Sequence, residues 1–186
     1  MSIIAVIDTE TTWGNEVMSI GVVVADSDNY SAVDKKYYIL DPEYKLGGLF
    51  SHELMLVPGS DKCIVSREQA VSEIKDLFVK AGVSGVFAYN AGFDKSHLPE
   101  ISGYNWYDIM KIAAYKQYNK AIPDHSECCK TGRLKRNYGV EHMMRLLSGN
   151  GRYYETHNAL NDAVDELEIM RLLNHSIEIY ENAVLL

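Results

Sequence analysis

Asp8-Thr9-Glu10 places two carboxylates one residue apart at the end of an apolar, β-branched run, Ile3–Thr9. Alternate residues of a strand share a face, so both side chains should project together where the strand leaves the core. Two hard oxygen donors so placed suit Mg²⁺ or Mn²⁺. The pair alone does not decide the matter. Asp41-Pro42-Glu43 repeats the spacing in what reads as a turn, and an isolated D-x-E is more often a solvated strand end than a metal site.

His157-Asn-Ala-Leu-Asn-Asp162 is the second chemical element. A five-residue separation turns an α-helix by about 500°, so His157 and Asp162 would not share a helix face. The spacing instead puts His157 in the loop before a helix and Asp162 in its first turns. Imidazole titrates near ~6.5 in isolation and can accept a proton at neutral pH. The pattern therefore suits a base on a loop facing a metal-binding carboxylate on a helix. A surface histidine beside a capping carboxylate is the plainer meaning. Asp94, in Tyr89-Asn-Ala-Gly-Phe-Asp94, is the third element, delivered by a Gly-containing loop after a strand. Its plainer meaning is a helix N-cap.

The elements that must position these residues follow from hydrophobic period. Met18–Ala25 and Val33–Leu40 continue the strand pattern, and Asp26-Ser-Asp-Asn29 between them predicts an antiparallel hairpin. Asp41-Pro42 ends the third strand, and residues 42–65 read as irregular, with Gly47-Gly48 and Pro58-Gly59. Ser66-Arg-Glu-Gln69 predicts a helix start, with Ala70, Ile74, Leu77 and Phe78 as its apolar stripe. A short strand, Val86–Tyr89, should follow Gly82 and Gly85. Asp108 reads as the N-cap of a helix running to about Tyr118, then come a basic loop and a helix over roughly Val140–Leu147. The last helix should cover about Ala159–His175, burying Ala163, Leu167, Met170 and Leu173. Strands first, then helices alternating with short strands, predict an α/β domain with helices flanking a mixed sheet.

The chain has 186 residues and shows no repeat or linker that would divide it, so one domain over residues 1–186 is expected. Its formal net charge is −8. A module that held nucleic acid by phosphate neutralisation alone should be basic. Either nucleic acid is not the partner, or divalent cations supply the positive charge at the contact. Cys63, Cys128 and Cys129 do not form a disulfide framework, and His125-Ser-Glu-Cys128-Cys129 lacks a second ligand pair at zinc spacing. The start of the sequence lacks a basic, apolar leader pattern, and no apolar run reaches membrane-spanning length. A cytoplasmic protein with no membrane partner is the expectation.

Taken in order, D-x-E, D and H-x(4)-D resemble the DEDDh 3′→5′ exonucleases, a family that includes ribonuclease T and the proofreading subunit of bacterial DNA polymerase III. The residues that carry the resemblance are Val6–Thr12 (VIDTETT), Asn90–Asp94 (NAGFD) and His157–Ala163 (HNALNDA), with Trp106–Ala113 like the family's connecting region. The resemblance implies a ribonuclease-H-like fold with a five-stranded sheet, three antiparallel strands and then parallel ones. It implies two Mg²⁺ or Mn²⁺ ions held by Asp8, Glu10, Asp94 and Asp162, with His157 as general base. It further implies hydrolysis from a single-stranded 3′ end, with DNA favoured over RNA and a silent adaptor on the same fold as a remote alternative. Thr9, Thr11, Thr12, Trp13, Asn90 and Phe93 are the residues expected to meet substrate, and a homodimer or a polymerase-type partner fits the family.

Two departures stand out. Trp13-Gly14 reverses the family's usual order, which makes Trp13 either a stacking platform for a base or a core-edge tryptophan. Asn158 follows His157 where many members carry arginine, so one phosphate contact is expected to be missing. Lys130, Arg133, Lys135 and Arg136 either track a nucleic-acid backbone or form a solvated loop.

Overall fold

The computed structural model describes residues 2–56 and 62–185; the Pro58-Gly59 turn signal lies outside the described residues. A six-stranded mixed sheet organises the chain, in the order β4-β3-β2-β1-β5-β6. Its strands are β1 (Ile3–Thr11), β2 (Val17–Asp26), β3 (Ala32–Leu40), β4 (Lys62–Val65), β5 (Val83–Ala88) and β6 (Trp106–Asp108). The first three form an antiparallel meander, and β5 and β6 add parallel beyond β1.

The expectation of five strands needs correcting. β4 lies within the stretch read as irregular and pairs in parallel with the end of β3, from Tyr37 opposite Lys62 to Leu40 opposite Val65. Four residues of mixed polarity on a sheet edge carry too little alternation to announce a strand.

Helices cover both faces. Ala70, Ile74 and Phe78 of α1 (Arg67–Ala81) pack with Ala5 and Ile7 of β1. Ala163, Leu167 and Met170 of α5 (Ala159–Leu173) pack with Ile4 and Val6 on the opposite face. Covered on both sides, β2 is buried at every position. Two shorter helices, α2 (Gly92–His97) and α3 (Met110–Ala113), follow β5 and β6, and α4 (Val140–Ser148) precedes α5.

The helix predicted to run from Asp108 to about Tyr118 stops at Ala113. Asp108 ends β6, and its Oδ1 accepts from the backbone N–H groups of both Asn90 (2.9 Å) and Met110 (3.0 Å). Beyond α3 the backbone turns its hydrogen bonds to another segment: Lys116 N–H donates to Gly132 O, and Leu134 N–H donates to Ala114 O. Pairing with residues 132–134 takes the partners that a continuing helix would have used.

One glycine sets the distance between sheet and helix. A Cβ added at Gly21 would lie 2.1 Å from the Ala159 carbonyl oxygen, so α5 begins in direct backbone contact with β2. Gly21 is also the register partner of Asp8. The start of α5 is thereby held over the part of β1 that carries the D-x-E pair.

Candidate active site

Asp8 and Glu10 lie on the β1 face that α5 covers, paired across to Gly21 and Ser19 of β2. The register shifts just after Glu10, and such a bulge ends regular pairing and re-aims side chains at a sheet end. Asp162 sits in the first turn of α5, 3 % exposed. His157 stands in the loop before that helix, at φ 53°, a left-handed backbone uncommon for a non-glycine residue. The expected split between a loop histidine and a helix carboxylate is what the structure contains. Ligand atoms of Glu10, His157 and Asp162 all lie within 4.8 Å of one another.

Asp94 approaches from the other side of the sheet. It lies inside the first turn of α2, 2 % exposed, and is not the N-cap. Thr9, whose side chain points to the face opposite Asp8 and Glu10, donates its hydroxyl to Asp94 Oδ1 at 2.7 Å. Three successive residues of β1 thus serve one centre, two by facing α5 and one by anchoring Asp94.

The electrostatics are those of buried carboxylates crowded together. Burial first, then the charges of Asp94, Asp162 and Glu10, push Asp8 well above the usual carboxylate range. Burial and Glu155 raise Glu10 to about 8, and burial, Glu155 and Glu10 raise Asp162 to about 8. Burial lifts Asp94 to about 7, against the lowering effect of the Thr9 hydroxyl. Among the described residues, no Lys or Arg forms an ion pair with any of them. Asp8 Oδ2 and Asp162 Oδ1 are enclosed and have no hydrogen-bond partner. Enclosed anionic oxygens without donors fit divalent cations, which repay the cost of gathering such charges.

Sequence reasoning missed two acidic neighbours. Glu166 is 1 % exposed, and its Oε2 has no partner. Burial and the charges of Asp8 and Asp94 hold it well above its ordinary range. Its position four residues after Asp162 was a usable signal, because that spacing repeats on one helix face. Glu155, two residues before His157, raises Glu10 and Asp162 by its charge, and nothing in its spacing marks it.

The residues expected to meet substrate divide into two groups. Thr9 and Thr12 are buried; Thr12 Oγ1 accepts from the backbone N–H groups of Gly14 and Glu16, which shapes the turn after β1. Thr11 is half-buried at the bulge. Trp13 is 72 % exposed, which removes the core-edge reading. Phe93 is 38 % exposed and leans on the His97 ring, and Asn90 is exposed at φ 63°. Asn158 explains the departure from arginine. It is buried as the N-cap of α5, accepts from the backbone N–H groups of Leu160 and Asn161, and donates to Tyr37 OH (3.0 Å) and Glu53 O (3.1 Å). In the basic loop Arg133 lies over the Tyr138 ring, and Lys135 faces Glu127 at 3.9 Å.

This architecture has counterparts among solved structures. The nuclease domain of 3'hExo, a DEDDh family member bound to rAMP, superposes with a TM-score of 0.61 at 16 % identity, over 94 % of each chain. The fold is that of the DEDDh exonucleases. A 3'-exonuclease with a histone mRNA stem-loop gives 0.63 at 14 % identity, and a zinc-bound E. coli ExoI–ssDNA complex gives 0.61 at 15 %. The chain covers 94 % and 98 % of itself in those two matches but spans only 65 % and 42 % of the lengths of those proteins. No family model matches the sequence, and no curated protein matches it significantly. Among the described residues no helix is long and apolar enough to cross a membrane.

Proposed function

We propose that the chain is a divalent-metal-dependent 3′→5′ exonuclease, acting as one domain over residues 1–186, that shortens single-stranded 3′ ends and releases nucleoside 5′-monophosphates. The observation that carries this reading is the meeting of Glu10, His157 and Asp162 within 4.8 Å, beside enclosed and unpartnered oxygens of Asp8 and Asp162.

Asp8, Glu10 and Asp162 are the residues that would hold two Mg²⁺ or Mn²⁺ ions, with Asp94 supporting the second. Such a pair, when bound, helps generate the attacking hydroxide and stabilises the departing oxygen of a phosphodiester. The rest of the step belongs to the chain. His157 takes the proton from the water whose oxygen attacks phosphorus. The P–O3′ bond breaks and the departing oxygen takes a proton from solvent, leaving a 3′-hydroxyl on the shortened strand and a 5′-phosphate on the released nucleotide. Thr9 keeps Asp94 aimed while this happens. Trp13, exposed beside the end of β1, offers its ring to a base; such stacking is worth roughly 1–3 kcal/mol and tolerates any base.

DNA is the favoured polymer, in keeping with the ssDNA held by the E. coli ExoI relative. An exoribonuclease is the second reading, favoured by the rAMP and histone mRNA ligands of two other neighbours. Digestion of 3′-labelled single-stranded DNA, duplex DNA and RNA with Mn²⁺ separates the two. No cleavage of any of them would overturn the exonuclease reading.

A further inference from the structure

Of Asp8, Glu10, Asp94, His157 and Asp162, His157 alone stands outside a strand or helix, yet its ring has a stacked partner. The Phe50 ring stacks on its imidazole with centroids 3.9 Å apart and planes 16° from parallel. Phe50 belongs to the strap after β3, which residues on both sides of the ring tie down. At one end the Trp13 backbone N–H donates to Gly47 O (3.1 Å). Next to it Gly48 lies so close that an added Cβ would sit 2.4 Å from Thr11 O. At the other end Leu54 is 1 % exposed within the core beneath α5. There the Glu53 carbonyl accepts from Asn158, the residue directly after His157. Between these anchors two turn bonds, Ser51 N–H to Gly48 O and Glu53 N–H to Phe50 O (2.9 Å), hold Phe50 over the imidazole.

We propose that Phe50 is a positioning residue, which acts through His157 by holding the imidazole plane against Glu10 and Asp162. This rests on the exonuclease reading with His157 as base. The backbone at 157 is left-handed, so its own conformational preference does not aim the ring. The hydrogen bonds of Asn158 anchor the residue after His157 and do not reach the His157 side chain. A stacked aromatic face restricts those torsions while leaving the ring nitrogens, which lie in the ring plane, free to meet a carboxylate or a water. The strap therefore supplies what a helix or strand supplies to the carboxylates.

The test uses full-length protein with Mn²⁺ and a 3′-labelled single-stranded oligonucleotide. Phe50→Ala and Phe50→Leu should lower kcat by about ten- to a hundred-fold with KM nearly unchanged, the scale expected when a reacting group is misplaced. Phe50→Tyr should restore the rate. Phe50→Leu keeps the apolar bulk, so equal melting temperatures separate loss of the stack from loss of the fold. In the background of His157→Ala, Phe50→Ala should add nothing. The ring protons of His157, assigned by their absence in His157→Ala, should move downfield in Phe50→Ala as the ring-current shielding is lost. Full activity in Phe50→Leu overturns the proposal, as does a further slowing by Phe50→Ala when His157 is already gone. An inactive wild type overturns the exonuclease reading itself, and the ring shift then reports whether the stack exists without it.

Discussion

The floor and the rim of the site are built by different rules. Asp8, Glu10, Asp94, Asp162 and Glu166 stand on strands and helices, where backbone hydrogen bonds and two hydrophobic cores set their positions. Trp13, Phe50 and Phe93 stand on turns and a strap or at a helix start, with Trp13 well exposed and Phe93 partly so. The floor gathers like charges that the fold itself opposes, so its geometry has to be imposed by the scaffold. The rim gathers aromatic faces whose contacts are cheap to make and to change. One consequence is that floor substitutions should alter the chemistry, whereas rim substitutions should alter binding or alignment.

The largest effect should come from the floor. Asp162→Ala is expected to lower Mn²⁺-dependent digestion of 3′-labelled oligonucleotides by at least about 10²–10³-fold, the scale of losing a principal electrostatic group. A retained rate would break the distinction between floor and rim at once.

Next comes the scaffold beneath it. Gly21→Ala drives a methyl group into the Ala159 carbonyl and should cost roughly 1–3 kcal/mol in urea denaturation, the range for overpacking. Activity should fall with it, since the same contact places α5 over Asp8. Unchanged stability would mean that the helix can retreat without loss.

Trp13→Ala should raise KM by about ten-fold, through loss of base stacking, and leave kcat near that of the parent. If kcat fell instead, with KM unchanged, Trp13 would act on alignment, as Phe50 does, and not on binding.

The smallest effect concerns pH. Glu10 and Asp162 are held at about 8 and Asp94 at about 7, all above their ordinary values near 4. Between those limits the folded chain keeps protons that the unfolded chain has released. Stability of the metal-free protein must therefore fall as pH rises from about 4 to about 8. Melting curves at pH 5.5 and 8.5 should differ by a few degrees, with the acid value higher, and saturating Mn²⁺ should abolish or invert the slope. Metal that left the slope untouched would place its binding away from the floor.

The same division governs what could be read in advance. Strand alternation put Asp8 and Glu10 on one face, and helical rotation separated His157 from Asp162; both rest on backbone periods that survive in any sequence context. Glu166 obeyed the same period and was there to be found. The contacts that escaped depend on chain segments far apart in sequence. Phe50 meets His157 across more than a hundred positions with no pattern to announce it. The clasp of Asn158 on Glu53 is of the same kind, and so is the pairing of residues 132–134 that cut α3 short. β4 escaped because an edge strand of four residues has almost no period to show. Trp13 had two readings from sequence; its exposure removes the core-edge one, and the stacking role is the proposal that the KM measurement checks.

The contact at Gly21 has a wider meaning for how this domain can change. Where α5 meets β2 at Gly21 the spacer is main chain against main chain, with no rotamer in between. Main chain has the same thickness whatever side chains surround it. Both cores can therefore exchange one apolar residue for another over generations while the gap between Asp8 and Asp162 stays as if set by a machinist's gauge block. The spacing at that one point does not depend on which apolar side chains fill either core.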